Sequence, residues 1–323
     1  MLTLSLESLR HSMSLILFFY DNLHNTIEKP IILNMSTEFP AEFRETEPLP
    51  RSVPMFALEG MNGCGKSHAA ALIVDQLRSD NFRVLENKIS GMEDGSRVDC
   101  LKKINENRRE LLKDGNASEK VRQDKDKDRI FRLAMRYQVT QMVRKLAINE
   151  KDLDLGILDR TPMMPWAFSA SYDPSSPFLD EILEDGLKTT KQIGINTIYI
   201  LDIDSEIAFA RVIARVCVGH EDATSRVEQL CQEMEGTPES KERVLQKTLE
   251  LIQKNPNLLP REFDTHHLIP LELMQAEHDK LIEAVQILHK EQGIRYVIVN
   301  AEKDIHEVVE DIHTDILNQL RKV

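Results

Sequence analysis

From residue 54 onward the chain alternates between short apolar runs and longer stretches in which apolar residues recur every three or four positions. MFALEG from Met55, FRVLENKI from Phe82, LGILD ending at Asp159, NTIYILDI around Ile200 and IRYVIVN ending at Asn300 are too short for helices and read as strands. KSHAAALIVDQLRS follows the first of them, with Ala71, Leu72, Val74 and Leu77 at helical spacing and Asp80-Asn81 as its stop. Residues 129–149, 205–215, 241–253 and 301–320 carry the same spacing and are predicted helices. Strands separated by helices require crossover connections, so the expected class is α/β, with a parallel sheet covered on both faces. No internal repeat is present.

Two stretches exceed that plan. Residues 92–128 are strongly charged and read as a helix with a solvated tip. Residues 255–293 contain NPNLLPREFDTHHLIP and then a predicted helix, LELMQAEHDKLIEAVQILHK, an insertion that caps the core or forms an interface. Ahead of the alternating pattern, residues 1–53 read as a poorly ordered leader and linker. Residues 36–54, at its end, carry Pro40, Pro48, Pro50 and Pro54 among acidic residues. The apolar run SMSLILFFY, Ser12 to Tyr20, is too short to span a bilayer and is flanked by Glu7 and Asp21, unlike a signal peptide. Met35 opens MSTEFPAEF and would serve as a start of its own, so the leader reads as an extension. The expected domain is therefore 54–323.

Composition narrows the function classes. Apolar residues make up 41% of the 323, enough for a real core. Lys+Arg 41 against Asp+Glu 54 gives a net charge of −13, which argues against broad binding to nucleic acid or an anionic membrane. Cys64, Cys100, Cys217 and Cys231 are irregularly spaced, as free thiols in a reducing compartment would be, and the expected location is the cytoplasm. Cys217, His220 and Cys231 have no fourth partner at zinc-finger spacing.

The stretch GMNGCGKS, between the first strand and its helix, fills the pattern G-x-x-x-x-G-K-[ST] with Gly60, Gly65, Lys66 and Ser67. Glycines let successive N–H groups turn toward one anion, and the helix beginning at Lys66 aims its positive end at the same point. Gly60, Met61, Asn62, Gly63, Cys64, Gly65, Lys66 and Ser67 are accordingly the expected ATP-binding residues. Lys66 is expected to reach the β- and γ-phosphates and Ser67 to ligate Mg²⁺. A GTPase would show D-x-x-G after the third strand and N-K-x-D later. Asp159 is followed by RTPM instead, and the transporter signature LSGGQ is absent. Those absences favour a small-molecule kinase.

Asp159 ends a strand on the phosphate side, where a carboxylate holds Mg²⁺ or its waters, and Arg160 beside it is placed to meet an anionic acceptor. RLAMRYQVTQMVRKLA carries Arg132, Arg136 and Arg144 in an apolar setting. RVIARVCVGHEDATSRVEQ carries Arg211, Arg215 and Arg226, candidates for a lid over the transferred phosphoryl group. Taken singly, each of these arginines is as readily a solvated charge on a helix face.

In this order the stretches resemble the thymidylate kinase family of P-loop nucleoside-monophosphate kinases, from about Pro54 to the C terminus with the two insertions outside. FALEGMNGCGKS looks like that family's opening strand and loop. RLAMRYQVTQMVRKLA with LGILDR looks like its arginine-bearing helix and Asp-Arg strand end, SRVEQ its lid, and YVIVNAEKDIHEVVEDIHTDI its last strand and helix. The resemblance implies a three-layer P-loop fold with a parallel five-stranded sheet, a helical lid at about 216–240, ATP and Mg²⁺, and often a homodimer. It gives Arg136 to the acceptor monophosphate, Arg160 to the acceptor near the transfer point, Phe168 to the pocket wall and Arg226 to the lid. Lys66, Asp159, Arg160 and Arg226 are then the catalytic set, with Ser67 and Asp159 at the metal. The chain departs from the family at Asn62, where Asp is usual, at Thr161 in place of an aromatic, and at NKIS in place of R-E-P-G, which leaves Lys88 as the nearest basic substitute.

The leading expectation is ATP-dependent phosphorylation of a nucleoside monophosphate, dTMP first. A deoxynucleoside kinase is the second enzyme reading, with Glu86 as general base. A nucleotide-binding regulator that has lost acceptor chemistry is the third.

Overall fold

The computed structural model describes residues 53–88, 153–177, 179–218, 222–234, 236–254 and 270–321, with backbone only at 87 and 88. In chain order the described elements are β1 (Met55–Glu59), α1 (Lys66–Ser79), β2 (Val84–Lys88), β3 (Leu155–Asp159), α2 (Met164–Tyr172), α3 (Leu179–Ile193) and β4 (Ile195–Asp202). There follow α4 (Ser205–Cys217), α5 (Ala223–Glu233), α6 (Pro238–Lys254), α7 (Leu271–Gln292), β5 (Arg295–Asn300) and α8 (Ile305–Leu320).

The five strands form one parallel sheet in the order β2-β3-β1-β4-β5. Strands buried on both faces carry apolar residues at every position rather than every second one. MFALE and LGILD obey that rule, and all five residues of each are buried. Alternate side chains still diverge. Phe56 and Leu58 of β1, with Tyr199 and Leu201 of β4, join α1, α4 and α8 in one core through Ile73, Leu77, Phe209, Ile213 and Ile312. Met55 and Ala57, with Ile198 and Ile200, join α2, α3 and α7 in the other through Trp166, Ile182, Leu281 and Leu288. Helix, sheet and helix make three layers, the expected α/β architecture around a parallel five-stranded sheet. The strand β5 is an edge of this sheet, and Ile298 is 55% exposed on it.

Helix ends follow local chemistry. Asp204 accepts from the N–H groups of Glu206 and Ile207 and so starts α4. The predicted helix over 301–320 begins only at Ile305. The Ala301 N–H is committed to the Asp202 carbonyl at 2.8 Å, and Asp304 caps the helix through the His306 N–H. Caps of this kind are worth about 1 kcal/mol. Within the insertion, α7 lies on the core: Leu281, Ala284, Val285 and Leu288 are buried. Its Glu277 accepts from the Tyr172 hydroxyl, and its His278 Nε2 lies 2.9 Å from Asp202 Oδ1. The rest of the insertion, the charged stretch 92–128 and the arginine-bearing helix at 129–149 fall outside the described residues. So does the expected leader apart from Val53, which is buried in the second core. No described helix is long and apolar enough to cross a membrane.

Candidate active site

In a parallel α/β sheet the loops that bind ligands leave the carboxyl ends of the strands. Register brings three such ends together here: Lys88 of β2 and Leu58 of β1 are both level with Asp159 of β3. The loop Gly60–Gly65 leaves β1 at this level and enters α1. Its glycines have φ of 148° at Gly60, 86° at Gly63 and 95° at Gly65, conformations that side chains rarely adopt. Gly63 is also hemmed in, since a Cβ there would sit 2.2 Å from the Ala208 carbonyl oxygen of α4. The loop is therefore braced from behind by a helix backbone. Arg211, one turn further along α4, donates to the Cys64 carbonyl at 3.4 Å and to the Ala301 carbonyl at 3.1 Å, pinning the loop to the β5–α8 turn.

The N terminus of α1 is left free for an anion. Its cap is Gly65, which offers no side-chain acceptor, and its first turn holds no acidic residue, unlike those of α3, α4, α6, α7 and α8. Lys66 is buried and donates to the Met61 carbonyl at 3.2 Å, so its ammonium folds back over the loop. Burial, helped by the nearby Arg160 charge, pulls this lysine below the ordinary range, while Cys64, Asp159 and Glu59 oppose the shift. An anion seated in the loop would restore its charged form.

Ser67 donates to Asp159 Oδ2 at 2.5 Å. Asp159 is 2% exposed, and its Oδ1 has no hydrogen-bond partner among the described residues. A hydroxyl and a buried carboxylate with a spare oxygen form a hard-oxygen pair suited to Mg²⁺. Arg160 adopts φ 91°, uncommon for a long side chain, and is buried with it. Its Nη2 donates to Asn62 Oδ1 at 2.9 Å, its guanidinium lies 5.6 Å from the centre of the Phe168 ring, and its Nη1 has no described partner.

The structure thus gathers Lys66, Ser67, Asp159, Arg160, Asn62 and Phe168 around one loop. The Lys88 backbone reaches the same level. Arg226 does not join them through any described contact: it is half-buried on α5 and donates to Gln229 at 2.7 Å. Arg136 lies outside the described residues. Among these the resemblance raised Asn62 only as a departure from its family, yet Asn62 holds Arg160.

Sequence reasoning missed Glu59. It is fully buried at the last position of β1, and its Oε1 accepts both the N–H of Thr161 at 2.5 Å and its hydroxyl at 2.8 Å. Burial pushes its carboxyl upward, against the pull of Arg160, Thr161 and Lys66. The available signal was an acid closing an otherwise apolar strand.

No protein-family model matches the chain, and no curated protein sequence matches it. Among solved structures, it is similar to a deoxyadenosine kinase from M. mycoides with bound dATP, at 12% identity and a TM-score of 0.45, over 81% of this chain and 98% of that one.

Proposed function

We propose that the protein transfers the γ-phosphoryl group of ATP to a nucleotide-type acceptor, with a nucleoside monophosphate, dTMP first, as the leading candidate. The observation that carries this reading is the adjacency of two half-satisfied groups. The Ser67–Asp159 pair keeps a buried spare oxygen beside the phosphate loop, and the next residue, Arg160, keeps a buried spare N–H. The first suits a metal-bound phosphate chain. The second suits an anion brought next to it.

On this reading the loop amides from Gly60 to Ser67 hold the phosphate chain, and Lys66 neutralises its β and γ oxygens. Ser67 and Asp159 would hold Mg²⁺, which would supply positive charge to the phosphate oxygens. Arg160 orients the acceptor phosphate, with the Phe168 ring against its guanidinium fixing the plane from which it donates. Asn62 holds the other edge of the same guanidinium.

A deoxynucleoside acceptor is the second reading. It rests on Glu86, which lies on β2 two residues before the level of Asp159 and is half-buried at the same sheet end. A free hydroxyl requires a base, which a monophosphate acceptor does not. ADP release measured over a panel of nucleosides and nucleoside monophosphates separates the readings. Turnover with dTMP and none with thymidine supports the first, and the reverse supports the second. No turnover with any acceptor, despite ATP binding, leaves a nucleotide-binding regulator.

A further inference from the structure

We propose that Glu59 and Thr161 are positioning residues: together they clamp the turn after β3 and, through Arg160, hold the phosphate loop at Asn62. The inference rests on the phosphotransferase reading for its kinetic consequences, and on geometry for its content.

Arg160 stands in the left-handed region with φ 91°, where a side chain needs its neighbours to hold it. Both flanking amides are held by consecutive residues of β1. The Arg160 N–H donates to the Leu58 carbonyl at 2.9 Å, and the Thr161 N–H donates to the Glu59 carboxylate. The Thr161 hydroxyl adds a second bond to the same carboxylate oxygen and accepts from the Met163 N–H at 3.3 Å, where α2 begins. A single carboxylate oxygen accepts both bonds, and its charge, unlike that of a neutral carbonyl, also draws Arg160 and Lys66. The path then closes on itself: Glu59 to Thr161, Arg160 to Asn62, and back along three residues of the loop to Glu59. Burying a carboxylate completely, with Oε2 lacking any described partner, is costly for a strand end whose task is packing alone. It is intelligible where the direction of one guanidinium decides whether an acceptor lies in line.

The test uses the full chain with Thr161→Val, Thr161→Ser and Glu59→Gln. Valine keeps the shape and removes the hydroxyl, serine keeps the hydroxyl, and glutamine keeps an acceptor oxygen without its charge. With the best acceptor from the panel, Thr161→Val should lower kcat and raise the acceptor KM, each by about tenfold, with the KM for ATP nearly unmoved, because misplacement in the ångström range carries effects of this size. Serine should restore both, and Glu59→Gln should move them in the same direction by a smaller factor. Hydrogen exchange, read with no ligand present, should be faster over residues 60–66 and 157–163 in Thr161→Val and normal in Thr161→Ser. Wild-type kinetics and exchange in the valine variant would overturn the clamp. So would an equal rise in both KM values accompanied by general destabilisation. If the wild-type protein phosphorylates no acceptor, the proposed function fails, and the exchange comparison alone decides the clamp.

Discussion

Two polar clusters in this molecule are built from nearly the same parts. At the carboxyl ends of β1 and β3 stand an arginine, an aspartate, a hydroxyl and an amide: Arg160, Asp159, Ser67 and Asn62. Between α8 and the strands beneath it stand Arg295 of β5, Tyr199 of β4, and Asp315 and Gln319 of α8. The second cluster is closed. Arg295 donates to both Asp315 oxygens, Tyr199 donates to Asp315 at 2.8 Å and accepts from Gln319 at 3.2 Å, and Thr197 donates to Gln319 at 2.7 Å. The first is open, with Glu59 Oε2, Asp159 Oδ1 and Arg160 Nη1 all buried and without described partners. The two clusters differ in burial, since Arg295 and Asp315 are partly exposed while Asp159 and Arg160 are buried. They differ also in completeness of pairing, which matters most where an unmatched polar atom is buried. The closed one is architecture. The open one holds the unpaired atoms on which the proposed function rests.

Substitutions can break that contrast. The largest effect is expected at Lys66: Lys66→Ala should lower phosphoryl transfer by on the order of 10²-fold or more with the fold intact, because charge on the phosphate chain goes uncompensated. Near wild-type turnover in ADP-release assays would remove the open cluster from the chemistry. Next comes Arg160→Ala, expected to raise the acceptor KM by about tenfold to a hundredfold and to lower kcat, the scale of one charge-assisted phosphate contact. Arg136→Ala should raise the acceptor KM alone, with Arg136→Lys restoring it in part, since lysine keeps the charge without the planar fork.

The closed cluster should answer in the opposite currency. Tyr199→Phe deletes one hydroxyl from a matched network and should cost about 1 kcal/mol of stability, read by urea unfolding, with kinetics unchanged. A kinetic defect without loss of stability would mean that the distinction drawn here is wrong.

The smallest effect concerns the tether between α4 and α6. Glu206 accepts from Arg243 at 2.7 Å twice and from Ser240 at 2.8 Å. The Arg243 bonds hold its carboxyl below the ordinary 4.5, against the opposing effect of burial. A depressed carboxylate stabilises the fold above its ordinary value and ceases to as pH falls toward its folded value. The wild-type advantage over Arg243→Gln should therefore be present at neutral pH and shrink as pH drops below 4.5, as measured by unfolding midpoints. A constant advantage across that window would deny the tether its charge.

Much of this was legible beforehand, for physical reasons. All five strands showed as short apolar runs, and in β1 and β3, buried along their whole length, double burial removes alternation. Gly60, Lys66 and Ser67 were singled out by the pattern of a phosphate loop, and Asp159 and Arg160 by their place at a strand end. The fold sets these residues side by side, and their roles belong to the proposed function. The helix α2 escaped because MPWAFSASY is apolar on every side, with seven of its residues buried, so it has no period to detect. The helix α3 was overlooked although Ile182, Gly186, Thr190 and Ile193 are buried at helical spacing. The Glu59–Thr161 pair could not be read at all. Each residue alone looks like an ordinary strand end or turn, and only the fold brings them together. The left-handed backbone of Arg160 was equally hidden, since arginine has no preference for it.

The order β2-β3-β1-β4-β5 sets the earliest strand in the middle of the sheet. Its partner at β3 is made about a hundred residues later, and its partner at β4 later still, so the central hydrogen bonds belong to the slow, long-range class of contacts. Until then MFALE is an apolar segment with both edges open, the kind of species that associates with other chains. The strand that leads into the Gly60–Gly65 loop is thus the first of these five to be synthesised and among the last to be protected. Substitutions in β3 and β4 will therefore be felt in refolding yield as well as in final stability.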